Sequence, residues 1–269
     1  MGKLEQEVLW HSHNRRKSLI VWGGWFALAL LSVFCWQLMT KNTIWMFVSD
    51  APEQAADLIS RMFPPNWRYI NQLYQALWDT LNIATLGTLL GVVLAIPVAF
   101  LAARNTTPST AFVRPIALFI IAASRSINSL IWALLLVVIL GPGILAGIIA
   151  IGLRSIGFVG KLLYEGIEEI NSTSVEAVQA TGASRFQIID YAIIPQILPT
   201  FFSIAIFRWD INIRESTILG LVGAGGIGLF LSSSLNSLAW SQVTLIILVI
   251  LATVVVSEAL SAKVRNMLI

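Results

Sequence analysis

Of 269 residues, 57% are hydrophobic and only 12% are charged, which leaves too little polar surface for a soluble globule of this size. The net charge of +3 is spread between apolar runs and forms no basic stripe, which argues against a nucleic-acid partner. Apolar runs reach the roughly 20 residues that cross a bilayer as a helix, and no alternating segments of about 10 residues suggest a barrel, so the fold expected is all-α and integral to a membrane.

Six spans are expected, at about 18–39, 80–103, 111–140, 143–163, 199–222 and 241–262. The first follows Arg15, Arg16 and Lys17 and contains Cys35, the single cysteine, which excludes an intrachain disulfide and reads as a packing residue. It is longer than a signal-peptide core and lacks a small-residue cleavage site, the pattern of an uncleaved anchor. Ahead of it, His11 and His13 read as a solvated pair, since two ligands do not make a metal site, and no metal is expected. Between 40 and 79, Arg61-Met-Phe-Pro-Pro-Asn-Trp67 combines consecutive prolines that stop a helix with aromatics that suit a membrane interface. Arg125, Ser126 and Asn128 interrupt the third span and mark an unwound or water-lined stretch.

Basic residues recur on one side: Arg104 and Arg114, Lys161 and Arg185, then Lys263 and Arg265. By the positive-inside rule those loops and both termini are expected in the cytoplasm, with 40–79 outside. The expected division is a cytoplasmic N-terminus with the first span at 1–40, an interfacial segment at 41–79, and a membrane core at 80–269 with a cytoplasmic loop at 164–198.

That loop is the most distinctive stretch. Thr173 and Glu176 have capping-box spacing, Gly182 can take the positive φ that turns one helix into the next, and Pro195 is expected to limit the second arm. Phe186, Ile189 and Ile193 would share a face there, presenting an apolar ridge to a soluble partner, with Arg185, Gln187 and Asp190 pointing elsewhere. These residues resemble the EAA loop of membrane subunits of ABC importers, with Glu176, Ala177, Gly182 and Pro195 in register and Val178, Ala192 and Ile194 as apolar exchanges. The resemblance implies that Glu176, Ala177, Gly182, Ala183, Arg185, Phe186 and Pro195 couple to an ATPase subunit.

A second resemblance runs from about Asp57 to Arg265, to the phosphonate and phosphite permease family. It rests on Arg61-Met-Phe-Pro-Pro, Ala95-Ile-Pro-Val-Ala-Phe-Leu-Ala-Ala-Arg-Asn105, Ser155-Ile-Gly-Phe-Val-Gly-Lys161 and Asn212-Ile-Arg-Glu-Ser-Thr-Ile-Leu-Gly-Leu-Val-Gly-Ala-Gly-Gly-Ile-Gly228. Two departures are Asp210, where the family has Glu, and Asn128, where a Pro often follows Arg-Ser-Ile. The resemblance implies the type I ABC importer permease fold, a five-helix core plus an N-terminal helix in the bacterial inner membrane. It also implies a second permease copy as homodimer partner, an ATPase dimer that binds ATP and Mg, and a periplasmic binding protein. This chain has no Gly-Lys-Ser/Thr phosphate loop, so no cofactor and no enzyme activity are expected of it. Alternatives are a same-architecture importer of another solute such as an amino acid, a secondary transporter, or a membrane scaffold. A secondary transporter would not need the EAA-like loop, and no internal repeat is visible.

Span five carries Arg208, Asp210, Asn212, Arg214 and Glu215. Charges at bilayer depth cost roughly 2.5–3.5 kcal/mol each on insertion scales, so these should face protein or a hydrated path. Asp210 and Arg214 can pair at i and i+4, while Arg208, Asn212 and Glu215 occupy another face, so the helix needs polar company on two sides. A substrate pathway of Arg208, Asp210, Asn212, Arg214 and Glu215, with Arg125, is expected to lower the barrier for an oxyanion; a structural ion-pair network is the competing expectation. After span five, Gly223, Gly225, Gly226 and Gly228 fit dinucleotide-motif spacing, but no strand precedes them, and an outer gate, helix break or tight turn is expected instead. The ten Trp residues read as interfacial anchors.

Overall fold

A computed structural model describes residues 3–41 and 43–268, with side chains from 17 to 41 and from 43 to 267. The side chains of His11, His13, Arg15 and Arg16 lie outside the described residues. The chain divides into two units, Met1–Leu58 and Ile59–Ile269. The first contains α1 (Lys3–Lys41), whose part from Lys17 is long and apolar enough to cross a membrane, and most of α2 (Trp45–Met62), which ends just before Pro64 and Pro65.

Among its described residues the second unit consists of helices joined by short non-helical connections. A single turn at Trp67–Tyr69 leads into α3 (Ile70–Ala102), followed by α4 (Val113–Ser126), α5 (Ser129–Leu140) and α6 (Ile144–Glu168). Then come α7 (Ser172–Ala180), α8 (Arg185–Ile188), a π turn at Ile189–Ile193, α9 (Ile194–Leu219), α10 (Ile227–Asn236) and α11 (Trp240–Leu268). Among the described residues five helices are long and apolar enough to span a membrane, and six spans result if α4 and α5 are one broken span.

Three elements differ from expectation. The second span begins at Ile70, nearly three turns before 80, because Leu73 and Ala76 are buried against Ile227, Leu245 and Ile246 and so extend the helix past Asn71, Gln72 and Gln75. The third is two helices bent by 88°, with Asn128 accepting from the Leu130 N–H as the cap of α5. Pro195 does not end the second arm of the 164–198 loop but sits in the first turn of α9. A proline has no N–H and its ring crowds the carbonyl four residues back, here that of Tyr191. The π turn relieves this by widening the helix, with the Ile194 N–H reaching Ile189 O, and the Gln196 side chain donates to Ala192 O at 2.7 Å.

Small residues let α3 and α6 approach closely. A methyl on Gly87 would meet Ile151 at 2.7 Å and one on Gly152 would meet Leu90 at 2.7 Å, while Gly91 lies directly against Ser155. This contact, with α9 laid across it, places the polar residues of α9 opposite the middle of α6.

Candidate functional site

The polar residues of α9 divide between two neighbours. On one face Arg208, 1% exposed, donates from Nε to Ser155 Oγ at 2.9 Å, pairs with Glu215 Oε2 at 3.4 Å, and lies 5.2 Å from the centre of the Phe158 ring. Asn212, wholly buried, donates from Nδ2 to Thr88 Oγ1 at 2.7 Å and to Ser155 Oγ at 3.1 Å, while its Oδ1 is buried without a partner. On the other face Asp210, buried, pairs with Arg214 and accepts from Ser257 Oγ on α11 at 2.9 Å. The Arg214 side chain is half exposed. Apart from Asn212 Oδ1, each face thus has the polar company that burial in a low-dielectric setting demands.

A residue not singled out from the sequence joins this cluster. Arg154 of α6 pairs from Nη1 with Glu215 Oε1 at 3.0 Å, and the same nitrogen lies 3.3 Å from Asn128 Oδ1 and from Ser129 Oγ, at the break between α4 and α5. The signal available was its place one residue before Ser155 in an otherwise apolar span, a position where a charge needs a partner. Arg125 stands apart from the α9 cluster. It is exposed, its stem crosses α6 against Gly157, and neighbouring Ser124 donates to Leu153 O and accepts from the Gly157 N–H at 2.9 Å. Among the described residues no group of three His, Cys, Asp or Glu could hold a metal ion.

At the 164–198 loop the start of α7 is set by Asn171, which accepts from the Thr173 N–H at 2.9 Å, and not by a box of Thr173 and Glu176; the helix begins at Ser172, so Thr173 is already inside its first turn. Gly182 has φ +79° and makes the turn between α7 and α8. Glu176, Gln179 and Arg185 line a cleft of about 600 Å³ with Arg104, Asn105 and Glu168. Ala177, Gly182 and Ala183 line a shallower one with Gln187 and Tyr191.

The ridge of Phe186, Ile189 and Ile193 is not formed. Ile193 is 2% exposed and Ile189 partly buried against the core of Leu163 and Ile167, whereas Phe186 is 85% exposed. The π turn holds one more residue than an α turn, so the outward aromatic that accompanies Phe186 is Tyr191, 70% exposed. Pro195 is exposed at the foot of α9.

The glycine-rich stretch joins α9 to α10. Gly223, Gly225 and Gly226 have φ of +90°, +88° and +76°, and Gly228 packs on Gly220, where a methyl on Gly220 would come 2.5 Å from Gly228 Cα. Thr80 Oγ1 accepts from the Ile227 N–H at 2.8 Å and Gly223 O accepts from the Gly143 N–H at 3.0 Å, which tie the loop to α3 and to the α5–α6 turn.

The profile of the family described as binding-protein-dependent transport system inner membrane component matches residues 61–265. The phosphite transport system permease protein PtxC of Stutzerimonas stutzeri is 41% identical over 90% of this chain and 86% of its own length. The phosphate-import permease protein PhnE of Mycolicibacterium smegmatis is 38% identical over 82% of this chain, which spans 41% of that protein. Among solved structures, an inward-facing MetNI methionine ABC transporter chain superposes with a TM-score of 0.66 at 20% identity over 76% of this chain and 99% of its own length, a likeness of fold.

Proposed function

Because this chain belongs to the family of binding-protein-dependent transport system inner membrane components and is the permease subunit of an ABC importer, we propose that the solute it passes is phosphite, a phosphonate or a close phosphorus oxyanion. The observation that carries the solute class is identity of 41%, 38% and 33% to permeases named for phosphite and phosphate, over 90%, 82% and 78% of the chain. The buried arginine of α9 agrees with an anionic cargo, since a low-dielectric path opposes a charge unless fixed opposite charge lies along it.

In this reading two copies of the chain form the pathway, with α9 of each near the two-fold axis, and a periplasmic binding protein delivers the ligand. The α7–α8 turn, with Gly182 at its tip and Phe186 and Tyr191 outward, sits in a separate ATPase subunit that binds ATP and Mg. Closure of the ATPase dimer moves that turn and switches the permease from inward-facing to outward-facing. The loop and both termini are cytoplasmic, and the α9–α10 glycine stretch lies at the outer end, where its ties to α3 and α6 make it part of the outer gate. The pathway residues are Arg208, Asp210, Asn212, Arg214 and Glu215.

The test reconstitutes the complex with its ATPase and binding protein in liposomes and follows uptake of radiolabelled phosphite, methylphosphonate and methionine. ATP-dependent uptake of a phosphorus oxyanion is expected; uptake of methionine alone would reject the solute class and leave the family intact. Native mass measurement of the same complex should find two copies of this chain, and one copy beside a different permease would reject the homodimer.

A further inference from the structure

Charge around the middle of α6 does not balance. Arg154 and Arg208 share one carboxylate, each taking one oxygen of Glu215, and the Arg125 side chain lies a turn away along α6 with no hydrogen bond or ion pair of its own among the described residues. Asp210 is committed to Arg214 on the opposite face. Ser155 lies near the centre of the 25-residue α6, so this excess positive charge sits about 17–20 Å from either helix end at about 1.5 Å per residue. A net cation at that depth is costly in an idle protein and favourable only when an anion visits.

The two guanidiniums that share Glu215 differ in access. Arg208 is sealed, its side chain 2% exposed and its remaining contacts made by Ser155 and the Phe158 ring. The Arg154 side chain is 31% exposed and reaches the place where the third span breaks, with Asn128 Oδ1 and Ser129 Oγ each at 3.3 Å, long for charge-assisted bonds. By access the Arg154 bonds are therefore the exchangeable ones, although its pair with Glu215 at 3.0 Å is shorter than that of Arg208 at 3.4 Å, and Arg208 keeps Glu215 neutralised when Arg154 lets go.

We propose that Arg154, where it reaches the α4–α5 break, is the transient binding point for the transported phosphorus oxyanion within the membrane, the anion taking the place of Glu215 on the Arg154 guanidinium. A planar guanidinium offers two parallel donors to two oxygens of a tetrahedral oxyanion, which a lysine cannot copy. Arg208–Glu215 is the buried anchor that positions Arg154 and is not itself released. This assignment rests on the oxyanion reading above and adds to it a specific residue outside α9.

The experiment measures phosphite delivered per ATP hydrolysed by the full complex in liposomes, driven by phosphite-loaded binding protein. Arg154→Gln leaves Arg208 and Glu215 as a neutral pair, so assembly and stimulated ATP hydrolysis are expected to persist, while phosphite delivered per ATP falls by about tenfold or more, the scale of one lost charge-assisted contact. Arg154→Lys should recover part of that loss. A purely structural Arg154 would lower assembly, ATP hydrolysis and uptake together and leave the ratio unchanged, and that result overturns the assignment, as does failure of both variants to assemble. A wild-type complex that carries methionine and no phosphorus oxyanion instead rejects the solute class, so the two failures are distinguishable.

Discussion

Glu215 should be the least replaceable carboxylate of the membrane core. It neutralises Arg208 at 3.4 Å and Arg154 at 3.0 Å, so Glu215→Gln strips the counter-charge from two guanidiniums at once. At an effective dielectric constant of about 20, a unit pair at those separations is worth about 5 kcal/mol, to be discounted for Arg154 because solvent reaches it. Stranding one buried partner typically costs about 3–5 kcal/mol, and that range is the expected loss for Glu215→Gln. Arg208→Met should cost less, about 0–2 kcal/mol, because Arg154 still satisfies Glu215 and the lost contacts to Ser155 and Phe158 are offset by removing a charge from the interior. The double variant Arg208→Met, Glu215→Gln should therefore be more stable than Glu215→Gln alone. The assay is thermal unfolding of the detergent-purified complex, with membrane abundance scored beside it. Equal stability of Glu215→Gln and wild type, or a double variant that is worse than Glu215→Gln, would refute the shared-carboxylate argument.

Three further outcomes are expected. Gly182→Val has open space for its side chain but must hold φ +79°, a strain of about 1–3 kcal/mol confined to the turn, so the protein should reach the membrane while stimulated ATP hydrolysis and uptake fall; normal coupling would sink the docking assignment. Arg214→Ala strands the buried Asp210 with only Ser257 and should lower abundance, whereas Arg214→Ala with Asp210→Ala should restore it; uptake at the wild-type rate in the abundant double variant would mark the pair as structural. Gly228→Ala would press a methyl onto Thr217 O and Gly220, so a loss of about 1–3 kcal/mol is expected in the same melting assay, and an unchanged melting temperature would mean that the α9–α10 junction opens more easily than its packing implies.

Much of this was legible because charge in a membrane has few places to go. Asp210 and Arg214 at i and i+4 pair, and Arg208, Asn212 and Glu215 share the other face, as helical spacing alone requires. What spacing could not supply was the partner on another helix: Arg154 and Ser155 meet α9 beside the close α3–α6 contact made at Gly87, Gly91 and Gly152. The apolar ridge of Phe186, Ile189 and Ile193 failed because an α period was assumed across a segment where Pro195 imposes a wider turn. Asn128, read as a disturbance in the third span, is the cap of a new helix set at 88° to the last. Its side-chain chemistry was visible, but the angle depends on how α5 packs against α6 and α9.

The π turn also places a constraint on chain length. The arm bearing Phe186 and Tyr191 continues without a loop into α9, so the azimuth of those aromatics relative to Arg208 is fixed by a count of residues along one rod. One residue fewer between 189 and 193 would be taken up by collapse of the widened turn to an α turn, but one residue added or removed between 196 and 207, where the helix has no widened turn to absorb it, would rotate the arm by about 100° about the rod axis. Every residue would keep its chemistry, yet the outward aromatics would face the wrong quadrant. The segment should therefore tolerate exchanges of side chain far better than changes of length, and the residue count between Gly182 and Arg208 behaves as a gear setting.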